Sequence, residues 1–536
     1  MTESESRAFV PTVGDVLVFP IERIDRYGAC QVVAADETER LATVAVLAWT
    51  GAAVPDVTAL AGVPRMVKDF MFWRPEEVVM EVALPVPESY RRIGSLPVTG
   101  ETVSRSSGSW DFEHDIARQH RWDVTPTETT SAFKAALDSE EIATTPGLVY
   151  ARNGDPYEAR LAAARSFRDD AGYRVGDDFC MESLRAWPAL YQVTLHSWRD
   201  DLVPFLESSP LVNELTLTGH GRRELDLSRT SLDRLSVDIT GLERLVLPPS
   251  LDLLLLHGAG AVNRFDSRDG LLDGPSAETP EALAMLQVVA DQDGRWISVQ
   301  LTGTVPPVRG LDRVQGLRIG AIDDLDISDV AECFPNTSWL HLFGAPGLLR
   351  GLSELPALPT LETLWLCDLF GYEPGDFPGP GELPALTSLD LDSIPTDVAT
   401  RVRAMYKKAS HVSLSVRRPR KPEWLAENFE NPLRHWDGRD GIPAATAKQA
   451  RTAFVTALRQ VRDADASRTD ETGYAKTVTA SVTEFLDVIS GLNRKRQFLY
   501  TLERDEVIDA VDTLTTGLPP EANRTLEPLI EEALDD

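Results

Sequence analysis

A leucine pattern in the second half of the chain restricts the possible folds more than any other feature. The form L-x-x-L-x-L occurs at residues 361–366 and 386–391, and a related segment occupies residues 339–342. Equivalent leucines, Leu340, Leu364 and Leu389, recur after 24 and 25 residues. This period predicts a solenoid in which each coil contributes one short parallel strand.

The pattern extends over roughly residues 187–416. The early strands are predicted at 190–195 and 212–217 and around Leu235 and Leu254, with L-x-L elements midway at 225–227 and 245–247. So short a half-period predicts a flattened coil with extended segments on both sides. From Leu317 onward the spacing is 23 to 25 residues, which leaves room for short helices at 330–333 and 397–405. Residues 263–294 interrupt the repeat.

This array resembles leucine-rich repeat proteins of bacteria. The resemblance implies a solenoid that binds other proteins rather than a catalytic domain. The chain departs from the usual repeat at the third position after the final strand leucine, where the family carries Asn. His220, Leu369 and Ile394 stand there instead, so the family's strand-to-turn geometry does not carry over.

The first hundred residues predict a small antiparallel β domain. Strand-like runs lie at 13–21, 30–33, 43–49, 66–73 and 78–84, rich in β-branched and aromatic residues. The residues Val13-Gly14-Asp15-Val16, Phe19-Pro20 and Tyr27-Gly28-x-x-Gln31-Val32-Val33 resemble the opening of the bacterial toxin-immunity family numbered twenty-six. That resemblance implies binding and neutralisation of a toxin, without catalysis.

The expected fold is therefore multidomain α/β. Residues 1–128 form the β-rich, immunity-like domain; 129–186 form a linker and N-terminal cap, helical in pieces and most clearly at 157–165. Residues 187–420 form the solenoid, and 421–536 form a helical bundle of about four helices separated at 463–473, Gly491 and 517–520. The segment 424–436 resembles a junction in actinobacterial repeat proteins of unassigned function.

Composition narrows the functional classes. The net charge of −31 and pI near 4.7 argue against nucleic-acid binding, because neutralising phosphates requires clustered Lys and Arg. The basic run at 417–421 is expected to meet acidic groups of the C-terminal region instead. No apolar run approaches the ~20 residues that span a bilayer, and the start of the chain is acidic, so we expect a cytoplasmic protein without membrane contact.

The sequence offers no recognisable catalytic or cofactor motif. Phosphate-loop, nucleophile-elbow and zinc-helix patterns do not occur. Four dispersed cysteines form no C-x-x-C pair. Residues 111–115 with His120 are the densest group of potential metal ligands, but the interval from His114 to His120 does not align them on one helical face. We therefore expect no metal and no cofactor.

A candidate binding surface follows from strand alternation. The two leucines of L-x-L point into the coil, so the residue between them points outward. In the second half these outward positions bring aromatic, basic and acidic residues onto successive strands, a composition typical of interface hot spots. The predicted partner-binding residues are Arg318, Trp339, His341, Phe343, Trp365, Asp390 and Asp392. Two alternatives are a flanking domain that covers the tryptophans and a one-residue register shift that turns them inward.

The sequence thus predicts a non-enzymatic protein-binding protein whose partner is a bacterial toxin. One alternative is a scaffold or regulatory repeat protein that binds an enzyme of its own host. A second is an enzyme whose site is assembled from residues distant in sequence. The sequence leaves the oligomeric state open.

Overall fold

The computed structural model describes residues 10–36, 38, 40–70, 75–100, 106–152, 155–157, 159–169, 173–176, 178–258, 285–437, 439, 441–468, 470–518, 526, 529–530 and 533–534. The fold is mixed α/β and divides into two compact units. The first unit comprises Met1–Leu255 and Leu286–Ile297, and the second comprises Leu256–Met285 and Ser298–Asp536.

The first unit opens with a six-stranded sheet in the order β7-β1-β2-β3-β6-β8. Its strands are antiparallel except for the parallel pair β6 and β8. Leu17 and Phe19 pack in one apolar cluster and Val16 and Val18 in another, so both faces of the sheet are covered. This explains the continuous apolar run in the first strand. The bounds here are β1 (Asp15–Ile21), β2 (Arg26–Asp36), β3 (Leu41–Gly51), β4 (Val67–Lys68), β5 (Glu76–Glu77), β6 (Val79–Ala83), β7 (Arg91–Ser95) and β8 (Ser107–Gly108).

The segment that follows differs from the predicted helical cap. Two helices come first, and short strands then replace the helix predicted over 157–165, which is wrong. β12 pairs with β9, and β10 pairs with β11 and β14, so strand pairing overrides the helix propensity of an alanine-rich segment. The elements are α1 (Glu113–Val124), α2 (Thr127–Leu137), β9 (Ile142–Thr144), β10 (Leu148–Arg152), β11 (Asp155–Tyr157), β12 (Ala159–Leu161), β13 (Ser166–Arg168) and β14 (Tyr173–Val175).

Two groups of parallel strands complete the first unit. The elements are β15 (Gln192–Leu195), α3 (Leu202–Glu207), β16 (Glu214–Leu217), β17 (Glu224–Asp226), β18 (Arg234–Asp238), β19 (Arg244–Val246), β20 (Leu253–His257) and β21 (Leu286–Val289). One group runs β13-β15-β16-β18-β20 and the other β17-β19-β21. Val193, Leu215 and Leu235 are register partners and fully buried. The L-x-L elements midway between strands therefore form the second group, as the half-period predicted. Most of the predicted interruption, residues 263–284, lies outside the described residues.

The second unit contains six parallel strands in the order β22-β24-β25-β26-β27-β28. Leu340, Leu364 and Leu389 are register partners with no exposed surface. The two short helices, α4 and α5, lie where the longer spacing left room for them. The elements are β22 (Ser298–Thr302), β23 (Val308–Arg309), β24 (Gly316–Asp326), α4 (Ile327–Cys333), β25 (Trp339–Arg350), β26 (Thr363–Phe370), β27 (Ser388–Asp392), α5 (Thr396–Tyr406) and β28 (Ser413–Arg417).

A left-handed residue recurs next to the position at which leucine-rich repeats carry Asn. It lies two positions after the last inward apolar residue of a strand, one position before the expected Asn. Left-handed backbone at a non-glycine residue is uncommon because Cβ approaches the carbonyl oxygen. The members are Ala321, Asp368, Ser393 and Arg418 in the second unit, with Gly303 at the same position. A left-handed residue, rather than an Asn side chain, therefore follows the leucine segment of each coil: Ala321 and Asp368 lie within β24 and β26, and Ser393 and Arg418 lie directly after β27 and β28.

The C-terminal region is a helical cluster around one apolar core. The helices of this region whose bounds the structure describes are α6 (Pro422–Asn428), α7 (Ala444–Ala466), α8 (Glu471–Arg496) and α9 (Thr501–Thr515). Gly491 was predicted to end a helix, but α8 continues through it, so that boundary is wrong. Trp436 is fully buried and donates from Nε1 to Glu506 at 2.7 Å, and Arg439 pairs with the same carboxylate. No helix in the described parts of the chain is both long and apolar enough to cross a bilayer.

Candidate partner-binding site

Four of the predicted binding residues form one row across neighbouring parallel strands. Arg318 is the register partner of His341, His341 of Trp365, and Trp365 of Asp390. All four are half-buried, whereas the flanking leucines are buried completely. The register therefore places the leucines inward and this row outward, as strand alternation predicted.

The rings of this row and of two further predicted residues contact one another. His341 lies at the centre, with ring centroids 4.8 Å from Trp339, 5.3 Å from Trp365 and 6.3 Å from Phe343. Phe343 and Trp365 are 5.0 Å apart. The Arg318 guanidinium lies 4.6 Å from the centre of the Phe343 ring, a cation–π distance. We call Arg318, Trp339, His341, Phe343, Trp365 and Asp390 the aromatic patch.

A glycine that was not singled out in the sequence makes room for Trp339. Gly316 is the register partner of Trp339 on the preceding strand. A Cβ atom at Gly316 would overlap the indole ring of Trp339. The indole thus lies directly over the backbone of Gly316. A glycine in a strand often marks the close approach of another group, so Gly316 was the signal that the sequence offered.

Burial shapes the electrostatics of the patch. Burial and, to a smaller extent, the charge of Arg318 lower the pKa of His341, Asp390 opposes the change, and the net pKa is about 4. His341 is therefore neutral at physiological pH. Burial also lowers the pKa of Arg318. The indole Nε1 of Trp365 is buried and has no acceptor among the described residues.

The structure places the other predicted residues differently. Phe343 is only 6% exposed, so it supports the patch from beneath more than it offers surface. Asp392 is 4% exposed and accepts two hydrogen bonds from Arg418, at 2.8 and 2.7 Å. Arg417 lies 3.6 Å from the same carboxylate. Asp392 is thus committed to an ion pair within the chain instead of facing a partner.

A buried polar cluster lies at the ends of β26 and β27. Asp368 accepts from Ser393 Oγ at 2.6 Å and from Arg434 Nε at 2.8 Å, and His435 Nε2 lies 2.9 Å away. Burial opposes ionisation of Asp368, but His435 and Arg434 outweigh it, so the pKa of this carboxyl is well below its usual value. Sequence reasoning did not select Asp368, because a single acidic residue in an acidic chain carries no signal.

The basic run predicted to meet acidic groups contributes to the same region. Arg420 donates from Nη1 to Asp437 at 3.0 Å and from Nε to Ser393 Oγ at 3.1 Å. Its guanidinium lies 3.9 Å from the centre of the Trp424 ring. Arg420 therefore meets an acidic residue of the C-terminal region, as expected, whereas Arg418 pairs within the strand array.

The one dense group of potential metal ligands is used in contacts with neighbouring residues. Asp115 pairs with Lys68, Glu113 accepts from the Arg23 backbone N–H at 3.1 Å, and His114 Nδ1 lies 3.6 Å from Asp252. Nowhere in the described ranges do three His, Cys, Asp or Glu side chains converge in a way that could hold a metal ion.

Comparison with known proteins adds no assignment. No family model matches the chain, and no curated protein matches it.

Proposed function

We propose that this chain is a non-enzymatic, cytoplasmic protein-binding protein of the leucine-rich repeat type. In this proposal a solenoid, 187–420, joins the β-rich domain 1–128 and its cap 129–186 to the helical domain 421–536. Parallel strands with buried register-matched leucines support the repeat assignment. The observation that carries the binding function is the row formed by Arg318, His341, Trp365 and Asp390.

The residues of the aromatic patch and the net charge of the chain indicate the kind of partner that would bind. Tryptophan and arginine are the residues most enriched at interface hot spots, and half-buried rings that contact one another lose little conformational entropy on binding. The net charge of −31 favours encounter with a basic surface. The partner is a basic protein that places apolar side chains against Trp339 and Trp365.

The more concrete form of the proposal is neutralisation of a bacterial toxin. It rests on the resemblance of the N-terminal residues to an immunity family. From Asp15 onward those residues lie on β1 and β2, which pair antiparallel from Val16 with Gln31 to Ile21 with Arg26. Binding without catalysis is sufficient for this role, because covering a toxin's working surface blocks it.

Co-expression with the neighbouring open reading frame tests both the toxin as partner and the aromatic patch as the binding surface. The neighbour is expressed alone, with the wild-type chain, with Trp365→Ala and with Ser415→Ala. Ser415 is the register partner of Asp390 and lies outside the aromatic patch, so it is the matched control. We expect a toxic neighbour, rescue by the wild-type chain and by Ser415→Ala, and a loss of rescue with Trp365→Ala at equal protein level.

The other outcomes separate the parts of the proposal. Rescue by all three forms supports immunity and rejects the aromatic patch as the binding surface. A harmless neighbour rejects the toxin partner and favours the alternative, a scaffold that binds an enzyme of its own host. That alternative predicts that the wild-type chain and Ser415→Ala, but not Trp365→Ala, retain a host enzyme in a pull-down. A bound metal or cofactor found by native mass spectrometry would favour the enzyme alternative.

A further inference from the structure

The first unit contains a cavity of about 310 Å³ that the proposed function does not use. Helix α1 and the turn after it form one side, and the segments leading into β16 and β18 form the other. Its principal lining residues are Phe70, Arg118, Arg121, Trp122, Leu211 and Asp233. A volume of this size is at the small end of the range for ligand pockets.

Asp233 organises the polar wall of the cavity. It is 9% exposed and accepts a hydrogen bond from Asn213 Nδ2 at 3.1 Å. Arg121 donates from Nη2 to the other carboxylate oxygen, and Arg118 Nε lies 3.4 Å from the oxygen that Asn213 contacts. Burial raises the pKa of Asp233, and the charges of Arg121 and Arg118 oppose that rise. One buried carboxylate thus orients two guanidinium groups.

The two arginines carry more charge than Asp233 neutralises. Two cations and one anion line the cavity. Outside the lining, Asp252 also attracts Arg121 and Glu214 attracts Arg118, so the capacity to hold an anion rests on the N–H groups that these contacts leave unused. Arg118 uses only Nε toward Asp233, and Arg121 uses only Nη2. The other N–H groups of both have no acceptor in the part of the chain that the structure describes. Guanidinium edges of this kind match the geometry of a carboxylate, which they bind through paired N–H groups.

The rest of the lining is largely apolar. Phe70, Trp122 and Leu211 are each at most 9% exposed and belong to one apolar cluster. The Arg118 guanidinium lies 4.9 Å from the centre of the Phe70 ring, a cation–π distance. Val124, at the rim, is 67% exposed, so the cavity has an open side. A ligand of this cavity therefore combines an anionic end with an apolar body.

We propose that this cavity binds a small organic carboxylate with an aromatic or branched apolar body. The carboxylate accepts from the N–H groups of Arg118 and Arg121 that Asp233 leaves unused. The apolar body lies against Trp122 and Leu211. This proposal is independent of the protein-binding function, because none of its residues belongs to the aromatic patch.

Isothermal titration calorimetry on the full chain tests the proposal with three acids: phenylacetate, indole-3-acetate and 4-methylpentanoate. We expect at least one acid to bind with a dissociation constant of about 10 µM to 1 mM, as ligands of this size allow. The neutral analogue 2-phenylethanol, which lacks the carboxylate, should bind at least tenfold more weakly than phenylacetate. Absence of binding by all three acids, or equal binding of the alcohol, overturns the proposal.

Variants locate the site. Arg118→Gln removes one guanidinium and should weaken acid binding at least tenfold. Arg222→Gln is the matched control, since Arg222 also lies over an aromatic ring, that of Trp198 at 4.9 Å, but is not in the cavity. Val124→Trp blocks the open side without touching the core, so it should abolish binding while the chain stays folded. Unchanged binding in both Arg118→Gln and Val124→Trp overturns the assignment to this cavity.

Discussion

Trp365 and His341 are register partners on adjacent parallel strands, and their rings meet edge to face with centroids 5.3 Å apart. Because both rings also contact Phe343, the patch is one packed assembly rather than a row of independent side chains. Removing one ring therefore changes the surroundings of the others.

The first prediction concerns this coupling. Trp365→Ala should lower the free energy of unfolding by about 1–3 kcal/mol, because a half-buried indole loses apolar contact. In a double-mutant cycle with His341→Ala, the coupling energy should be about 0.5–1.5 kcal/mol, the usual range for aromatic pairs. Urea unfolding followed by far-ultraviolet circular dichroism measures it. If the losses of unfolding free energy in Trp365→Ala and His341→Ala simply add up in the double mutant, the two rings are not in direct contact.

The second prediction concerns acid sensitivity. The pKa of His341 is about 4 in the folded chain, below its usual value of 6.5. As pH falls below about 6.5, the unfolded chain binds a proton that the folded chain accepts only near pH 4, so stability decreases across that window. Between pH 7 and pH 5 these two pKa values correspond to a loss of about 2 kcal/mol, which solvent screening of the half-buried ring reduces to about 1 kcal/mol, and His341→Gln should remove it. If the free energy of unfolding has the same pH dependence in the wild-type chain and in His341→Gln, His341 is not the cause of the acid sensitivity.

The third prediction concerns the buried carboxylate Asp368. Its partners Arg434, His435 and Ser393 would lose their acceptor in Asp368→Ala, leaving a buried guanidinium without its counterion. Breaking a buried pair from one side costs about 3–5 kcal/mol. Asp390→Ala is the matched control on the next strand, half-buried and expected to cost less than about 1 kcal/mol. Urea unfolding compares the two, and similar losses would show that Asp368 does not anchor this region.

The fourth prediction concerns the space beneath Trp339. Gly316→Ala should lower the free energy of unfolding by about 1–3 kcal/mol, because the added methyl group overlaps the indole. It should also shift tryptophan fluorescence and weaken partner binding as Trp339 moves. Thr363→Ala is the control. Thr363 is the register partner of Trp339 on the following strand, and this substitution removes atoms instead of adding them. Normal stability in Gly316→Ala would mean that the ring relocates freely.

Several features were predictable because they depend on local spacing. The strands at Leu340, Leu364 and Leu389 and the helices α4 and α5 follow from repeat length. The prediction of a helix over 157–165 is wrong. The composition of this segment favours a helix, but its strand β12 pairs with β9. Asp392 was selected as a surface residue because sequence does not reveal that Arg418, 26 positions later, turns back to it.

The sequence by itself determined the parallel strand array, because leucine spacing brings equivalent leucines together. It predicted which side chains point outward but left a one-residue register shift open, which the strand pairing of the tertiary structure decided. The tertiary structure alone decided that His341 contacts Trp339 and Trp365, that Asp368 is buried in a polar cluster, and that two arginines share Asp233. These contacts join side chains at least two dozen residues apart in most cases. Ring orientation, burial and ion pairing arise from the packed neighbours of a residue, which spacing along the chain does not specify.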